Sequence, residues 1–428
     1  MKKKLAAILT LTFVVALLIS SGVVSAQDKV TINWWHINTN TAERDFWDKV
    51  AQDYMAANPN IEIEITVLEN EAFKTRLVTV MQANDPPDLF QSWGGGVLWE
   101  FARAGLLRNI APELEANNSE WKNSFAAQAA LDLFSLDGEY YGVPWTWGAV
   151  GIFYNKALFA EAGLDPENPP ATWEEFLAAV QQLKDAGITP ISVGELEKWP
   201  GHFWWVYLAI RLGGEEAFLN AYNREGAFTD EPFVQAGEYL NQLIELEPFQ
   251  EGHLAMGYGD AAGMMGRGEA AMELMGQWSP GTQRFFCDCE GLGEDLGWFP
   301  FPDVPEGAGD AADVLGGGDG FAVGKNAPDE TIDFLRYITS VDVQAAAADV
   351  WVVPVVKGAE TAIADDPILM KIIEARNNAP YFQLYYDQFL PPAVGQTVND
   401  AVEALFTRAA SPEEAAALIE EAASFEMD

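Results

Sequence analysis

The stretch DGEYYGVPWTWGAVGIFYNKAL, from Asp137 to Leu158, decides how the whole chain is read. Asp137-Gly138 is a turn that opens into an aromatic, β-rich run. Pro144, Trp145 and Trp147 break the run, and it resumes as Val150-Gly151-Ile152-Phe153-Tyr154-Asn155. A proline cannot continue a sheet ladder, so the chain has to turn there. The segment therefore reads as the first passage from one α/β lobe to another, with the Pro144–Gly148 bend at the mouth of the cleft between them. Indole rings at such a bend combine a large apolar face with a polar N–H, a combination that suits ligand contact.

Upstream, strand and helix alternate. Lys29–Asn38 (KVTINWWHIN) alternates as a strand, and Thr41–Ala57 carries Phe46, Val50, Tyr54 and Ala57 on one helical stripe. Asn58-Pro59 ends that helix. Ile61–Leu68 is a period-2 strand, Phe73–Ala83 a helix, and Asp88–Ser92 a short strand that runs into Trp93-Gly94-Gly95-Gly96 and the helix Val97–Ala104. This order implies parallel strands, right-handed crossovers and a ligand crevice at the carboxyl ends of the strands.

Downstream, Thr172 and Glu175 form a capping box ahead of Phe176, Leu177, Val180 and Leu183. Ile188–Val193 reads as a strand, Lys198–Leu212 as an aromatic start to a helix, and Phe228–Leu246 as a further helix. Gly263–Glu269 is a turn into the strand Ala270–Met275, which runs out at Gly276-Gln277-Trp278. Leu296–Pro302 is extended and broken by proline, as a second lobe crossing would be. Gly316–Gly320 leads into the strand Phe321–Val323 and a helix from Asp329 to Ile338. The remaining segments read as helical, the last of them opened by Ser411-Pro412-Glu413-Glu414.

The first 26 residues read as an export signal. Lys2-Lys3-Lys4 is followed by an apolar run, Leu5–Ile19, and by small residues at Val24-Ser25-Ala26, so cleavage is expected before Gln27. No cysteine lies there to carry a lipid. The export expected is periplasmic or extracellular, with cell-surface association left open. The formal net charge of −41 repels nucleic acid, anionic lipid and polyanionic substrates. The hydrophobic fraction of 49% is that of a packed globule and not of a disordered acidic tail.

Enzyme motifs are absent: there is no HExxH, no G-x-S-x-G, no Walker loop and no EF-hand spacing. The two cysteines, Cys287 and Cys289, lie far from the three histidines and make no zinc set, so they are a local disulfide or two free thiols. No metal and no cofactor is expected.

The more telling constellation is aromatic and polar at strand ends. A pyranose offers a face of C–H bonds and a rim of hydroxyls, and it needs an aromatic plate for one and Asn, Asp, Glu or His for the other. The residues expected to line a ligand site are His36, Asn38, Glu69, Trp93, Gly94, Trp145, Trp147, Trp199, Trp278 and Asp319. Gly94 is included because glycines clear room for a ligand's approach. The paired tryptophans Trp34, Trp35, Trp204 and Trp205 are expected in the core, and Asp88 at the turn before its strand.

Several blocks, in order, carry a resemblance: TINWWHIN, NPNIEIEITVLEN, NDPPDLFQSWGGG, YYGVPW with IFYNKALFAEAGL, PPATWEEFLAAVQQLKDAGITP, MGRGEAAMELMGQW and GFAVGKNAP with DFLRYITS. The chain resembles the family 1 extracellular solute-binding proteins, the receptors of sugar ABC importers. The resemblance implies an α/β, two-lobed periplasmic-binding-protein type II-like fold. Each lobe would be a mainly parallel sheet flanked by helices, joined by a multi-segment hinge. It places residues 27–142 plus 300–340 in the N-terminal lobe and 143–299 plus 341–428 in the C-terminal lobe. It also implies a monomer that closes on a neutral oligosaccharide, with a xylo-oligosaccharide-like, β-linked ligand suggested by QSWGGG, and that delivers it to the transmembrane permease subunits of an ABC importer. A secreted glycan hydrolase and a surface lectin are the alternative readings.

Overall fold

A computed structural model describes residues 29–350 and 352–427, so the expected export signal lies outside the described residues. Among the described residues thirteen strands run in chain order: β1 Val30–His36, β2 Ile61–Val67, β3 Leu89–Ser92, β4 Ser135–Leu136, β5 Glu139–Tyr140, β6 Gly142–Pro144, β7 Gly148–Ala149, β8 Gly151–Asn155, β9 Met272–Met275, β10 Leu296–Phe299, β11 Val314–Gly317, β12 Gly320–Val323 and β13 Phe382–Leu384. The first lobe is built on a five-stranded sheet in the order β2-β1-β3-β12-β6. Strands β2, β1 and β3 are parallel, as the strand–helix alternation requires, whereas β12 runs antiparallel to both of its neighbours, β3 and β6. Asp88 Oδ2 accepts from the backbone N–H and the side-chain amide of Asn33, which ties the start of β3 to β1.

The second lobe holds two smaller sheets, β10-β8-β9 and β13-β11-β7. The first of these is antiparallel throughout, so the expectation of mainly parallel strands applies to the first lobe only. A long helix, Trp199–Tyr222, is buried along most of its length behind these sheets and bends at Gly214, whose φ is 60°. A helix hydrophobic all round belongs inside a large core, and Trp204, Trp205, Tyr207 and Phe203 fill that role here.

Two segments differ from the sequence expectation. Leu296–Phe299 pairs antiparallel with Ile152–Asn155 inside the second lobe, so it is not a crossing. The chain returns instead between β11 and β12, where Gly317 ends one sheet and Gly320 begins the other. Val343, Ala347, Val352, Val355 and Val356 then pack in the core of the first lobe, beyond the residue at which a return to the second lobe was expected. The predicted strand Ile188–Val193 is reduced to isolated bridges at Ile191. Both capping boxes, Thr172 with Glu175 and Ser411 with Glu414, are formed.

The crossings lie side by side and are bonded to one another. The N–H groups of Trp145 and Thr146 both donate to the Asp319 carbonyl. Gln344 Nε2 donates to the Trp145 carbonyl, its Oε1 accepts from Val355, and Thr146 Oγ1 accepts from Val353. A Cβ on Gly318 would lie 2.5 Å from the Thr146 carbonyl, so only glycine lets these strands of the hinge touch.

Among the described residues no helix is long and apolar enough to cross a membrane, and none of their His, Cys, Asp and Glu groups could hold a metal ion.

Candidate functional site

Between the lobes lies a cavity of about 470 Å³, within the range of small-molecule sites. One wall is made by the carboxyl ends of β1, β2 and β3 and by the start of β12. It carries Asn38, Glu43, Glu69, Lys74, Trp93 and Asp319. The opposite wall carries Glu197, Trp199, His202, Tyr258, Trp278 and Tyr385, and the hinge residues Trp145 and Thr146 form part of the lining.

On the first wall, the chain leaves β1 at Asn38 and enters the helix Thr41–Ala57, with Asn40 as its N-cap accepting from Glu43 N–H. With its amide turned, Asn38 accepts from Trp47 Nε1 at 3.0 Å and donates to Glu43 Oε2 at 3.3 Å. Glu43 is half-buried. Burial pushes it up to about 7, Asn40 opposes that, and the charge of Asp319 adds to it. Asp319 is likewise pushed up to about 7 by burial, against the stabilising donors of Gln91 and Trp93. Glu69 is at the N-cap position of the helix Asn70–Gln82 but makes no capping bond, which leaves its exposed carboxylate available at the cavity.

Lys74 is the only lysine or arginine among the described residues that line the cavity. It pairs with Glu71 at 2.9 Å and, across the cleft, with Asp387 at 3.8 Å, and its ammonium lies 5.6 Å from the centre of the Trp93 ring. The charges of this cation are thus shared by two carboxylates.

The second wall is a connected aromatic surface. The Trp199 and Trp278 rings are 6.4 Å apart, Trp278 and Tyr385 6.4 Å, and Trp199 and Tyr258 4.9 Å. Beneath it, the buried carboxylate of Glu273 in β9 accepts from Ser279 Oγ at 2.6 Å and from Gln283 Nε2 at 2.9 Å. These bonds anchor the helix that starts just after Trp278. Burial raises Glu273 to about 7, and the same two donors hold it down. His202 Nδ1 lies 2.6 Å from the Trp199 carbonyl, which can only accept, so Nδ1 carries the proton. Burial lowers the pKa of His202 despite the neighbouring Asp387.

Several buried polar atoms of the residues that line the cavity have no partner within the protein. They include the hydroxyls of Tyr258 and Tyr385, the Gln277 Oε1 and the Trp145 Nε1. Buried polar groups are seldom left so, and burial keeps both phenols protonated by pushing their pKa well above the ordinary value.

Seven of the ten sequence-predicted site residues therefore come together at this cavity: Asn38, Glu69, Trp93, Trp145, Trp199, Trp278 and Asp319. Three do not. His36 is 1% exposed, its ring 4.9 Å from that of Trp34, and its Nδ1 accepts from the Asn38 N–H at 3.3 Å. Burial first, and then Arg44, lower its pKa to about 3. It is a neutral core histidine. Trp147 is 6% exposed and packs edge-on against Phe382 at 4.8 Å, while its carbonyl accepts from Arg376. It belongs to the hinge packing. Gly94 has φ 73°, and a Cβ there would lie 2.6 Å from the Leu133 carbonyl. Its neighbours Gly95 and Gly96 admit the backbone of Gln388 to Leu390. The glycines after Trp93 make room for protein, not for a ligand.

Sequence reasoning missed Tyr385 and Asp387 because the C-terminal region was read as all helix. They lie just past β13, and the rule that ligands meet strand ends would have found them had that strand been recognised. Glu43, Lys74 and Tyr258 are on helices and left no local signal.

Residues 38–345 match the family described as bacterial extracellular solute-binding protein. The chain belongs to that family. Among its solute-binding relatives, the multiple sugar-binding protein of Streptococcus mutans is 26% identical over 301 residues, 67% of each chain. An uncharacterized ABC transporter extracellular-binding protein of Pyrococcus horikoshii is 27% identical over 259 residues. That match covers 60% of this chain and 56% of the relative, so the chain spans little more than half the length of that protein. Two solved structures, both 25% identical, superpose with a TM-score of 0.84. One, from work on xylan utilization by the thermophilic bacterium Caldanaerobius polysaccharolyticus, is matched over 92% of this chain and 99% of its own. The other, a chitin oligosaccharide binding protein, is matched over 92% and 98%. The two-lobed architecture of this solute-binding protein is thus that of its structural neighbours.

Proposed function

We propose that this solute-binding protein takes a neutral oligosaccharide into the cavity between its lobes, closes on it, and hands it unaltered to the permease of an ABC importer. The observation that carries this reading is the pairing of an aromatic wall with unpartnered polar atoms in one cavity. Trp199, Trp278, Tyr258 and Tyr385 supply flat faces, and the Tyr hydroxyls, Gln277 and Trp145 supply bonds that a hydroxylated ligand would complete. The excess of carboxylates, with Lys74 already paired, disfavours an anionic ligand. The xylan and chitin contexts of the two neighbours at 25% identity agree with a β-linked oligosaccharide.

The lobes in this proposal are revised from the sequence expectation. The first lobe comprises residues 29–144 with 320–350 and 352–356, apart from Val353, which packs in the core of the second lobe, and the second lobe comprises 148–317 with the chain from about 363 onward, following the two sets of sheets and cores. Sugar would act by binding the closed form better than the open one, since only differential contact shifts that equilibrium. The chain acts as a monomer exported to the outer side of the membrane.

A glycan hydrolase would instead hold two carboxylates astride the scissile bond as acid and base, and would shorten the sugar that it binds. The reading is tested by thermal unfolding against xylo-oligosaccharides and N-acetylglucosamine oligomers, followed by product analysis. A rise in unfolding temperature without release of shorter sugars is expected. Shortening of the chains would establish the hydrolase instead.

A further inference from the structure

The helix Ser279–Cys287 starts directly after Trp278, so the inner aromatic plate stands at its N-cap. Trp278, Thr282 and Phe286 follow at intervals of four residues, a spacing that keeps side chains on one helical face. All three line the same cavity. At 1.5 Å of rise per residue, the eight residue steps from Trp278 to Phe286 set them about 12 Å apart along the helix axis.

Phe286 is 40% exposed. A single exposed apolar side chain would need no explanation, but this one is held in place. A Cβ on Gly259 would lie 2.2 Å from its ring, so the ring rests on bare backbone. Phe285 packs edge-on beside it at 5.0 Å. The helix itself is fixed against its neighbour, Tyr258–Gly266: a Cβ on Gly266 would lie 2.6 Å from the Gln283 carbonyl and 3.1 Å from Cys287. The Cys287–Cys289 disulfide follows at once. Asp260, also lining the cavity, adds an exposed carboxylate to the rim as a hydroxyl acceptor.

We infer that Phe286 is the plate of an outer subsite, continuous with the inner cleft, that stacks against the pyranose units of a linear oligosaccharide projecting past Trp278. The helix then acts as a ruler, with an aromatic plate at each end and the Thr282 hydroxyl between them. This inference rests on the sugar-binding reading above.

The test is calorimetric binding of xylo-oligosaccharides and N-acetylglucosamine oligomers, from disaccharide to hexasaccharide, to the wild-type chain, Phe286→Ala, Phe286→Leu and Phe286→Tyr. Wild-type affinity is expected to rise with length. Phe286→Ala should lose about tenfold on the longest ligands and leave the disaccharide unchanged. Phe286→Leu keeps apolar bulk without a plate and should behave like Phe286→Ala, whereas Phe286→Tyr should keep the length dependence. Equal loss at every length, or no loss at any, would overturn the outer subsite while leaving sugar binding in place. A wild-type chain that binds none of these sugars would overturn the sugar-binding reading and this one with it.

Discussion

The two walls of the cleft solve different problems. The first is polar and acidic, built from strand ends and one helix start, with Trp93 as its aromatic and Lys74 neutralised by Glu71 and Asp387. The second is a sheet of contiguous rings, Trp199, Tyr258, Trp278 and Tyr385, anchored from below by Glu273. A ligand held between them presents an apolar face to one side and hydroxyls to the other. The difference teaches that neither wall is a complete site. The aromatic wall supplies most of the flat area, with the hydroxyls of Tyr258 and Tyr385 among its rings, and the polar wall supplies most of the charge, with Trp93 as its one ring.

That division can be broken by substitution. The largest effect should fall outside both walls: Trp147→Ala removes a buried ring from the hinge and should cost about 3–5 kcal/mol of stability in chemical denaturation. Binding by the folded fraction should survive. If Trp147→Ala instead leaves stability intact and abolishes binding, Trp147 belongs to the site after all. Next, Trp278→Ala should weaken binding about a hundredfold, roughly 2.8 kcal/mol, at near-normal unfolding temperature. A collapse of stability would move Trp278 into the core.

Asp319→Asn should weaken binding roughly tenfold, as expected for loss of a charged acceptor. Because Glu43 and Asp319 ionise near 7 and the ionised forms accept better from hydroxyls, wild-type affinity should rise as pH increases through 7. A flat calorimetric profile between pH 5.5 and 8 would show that these carboxylates do not touch the ligand.

The smallest effect concerns the anchor under the aromatic wall. The folded state holds Glu273 at about 7, above the ordinary carboxylate value, so it retains a proton that the unfolded chain gives up. Its contribution to stability therefore falls as pH rises from about 4.5 to about 7 and is level above that. Glu273→Gln should flatten the fall in unfolding temperature across this window by on the order of 2 °C. An unchanged slope would assign the pH dependence to other groups.

Much of this was legible in the chain itself. The capping residues, the period-2 strands and the proline-broken aromatic run are local, and local chemistry is what a sequence displays. Trp93 and Trp278 line the cavity, where strand ends of an α/β sheet place side chains. His36 and Trp147 were misplaced because alternation gives the face of a side chain but not what packs on that face: His36 meets Trp34, and Trp147 meets Phe382 and Arg376. Lys74 and Asp387 could not be paired from sequence, since their meeting depends on how two lobes are set against each other across more than three hundred residues. The glycines after Trp93 were visible, but the backbone they admit, Gln388 to Leu390, lies at the far end of the chain.

The central claim is that both walls grip one sugar at once. Small-angle scattering of the protein, with and without a saturating oligosaccharide identified by thermal shift, tests it most directly. Closure on ligand should reduce the radius of gyration, and Trp278→Ala should require more sugar to reach the same value. A radius unchanged at saturation would mean that the ligand sits on one wall alone, and the clamp would have to be abandoned.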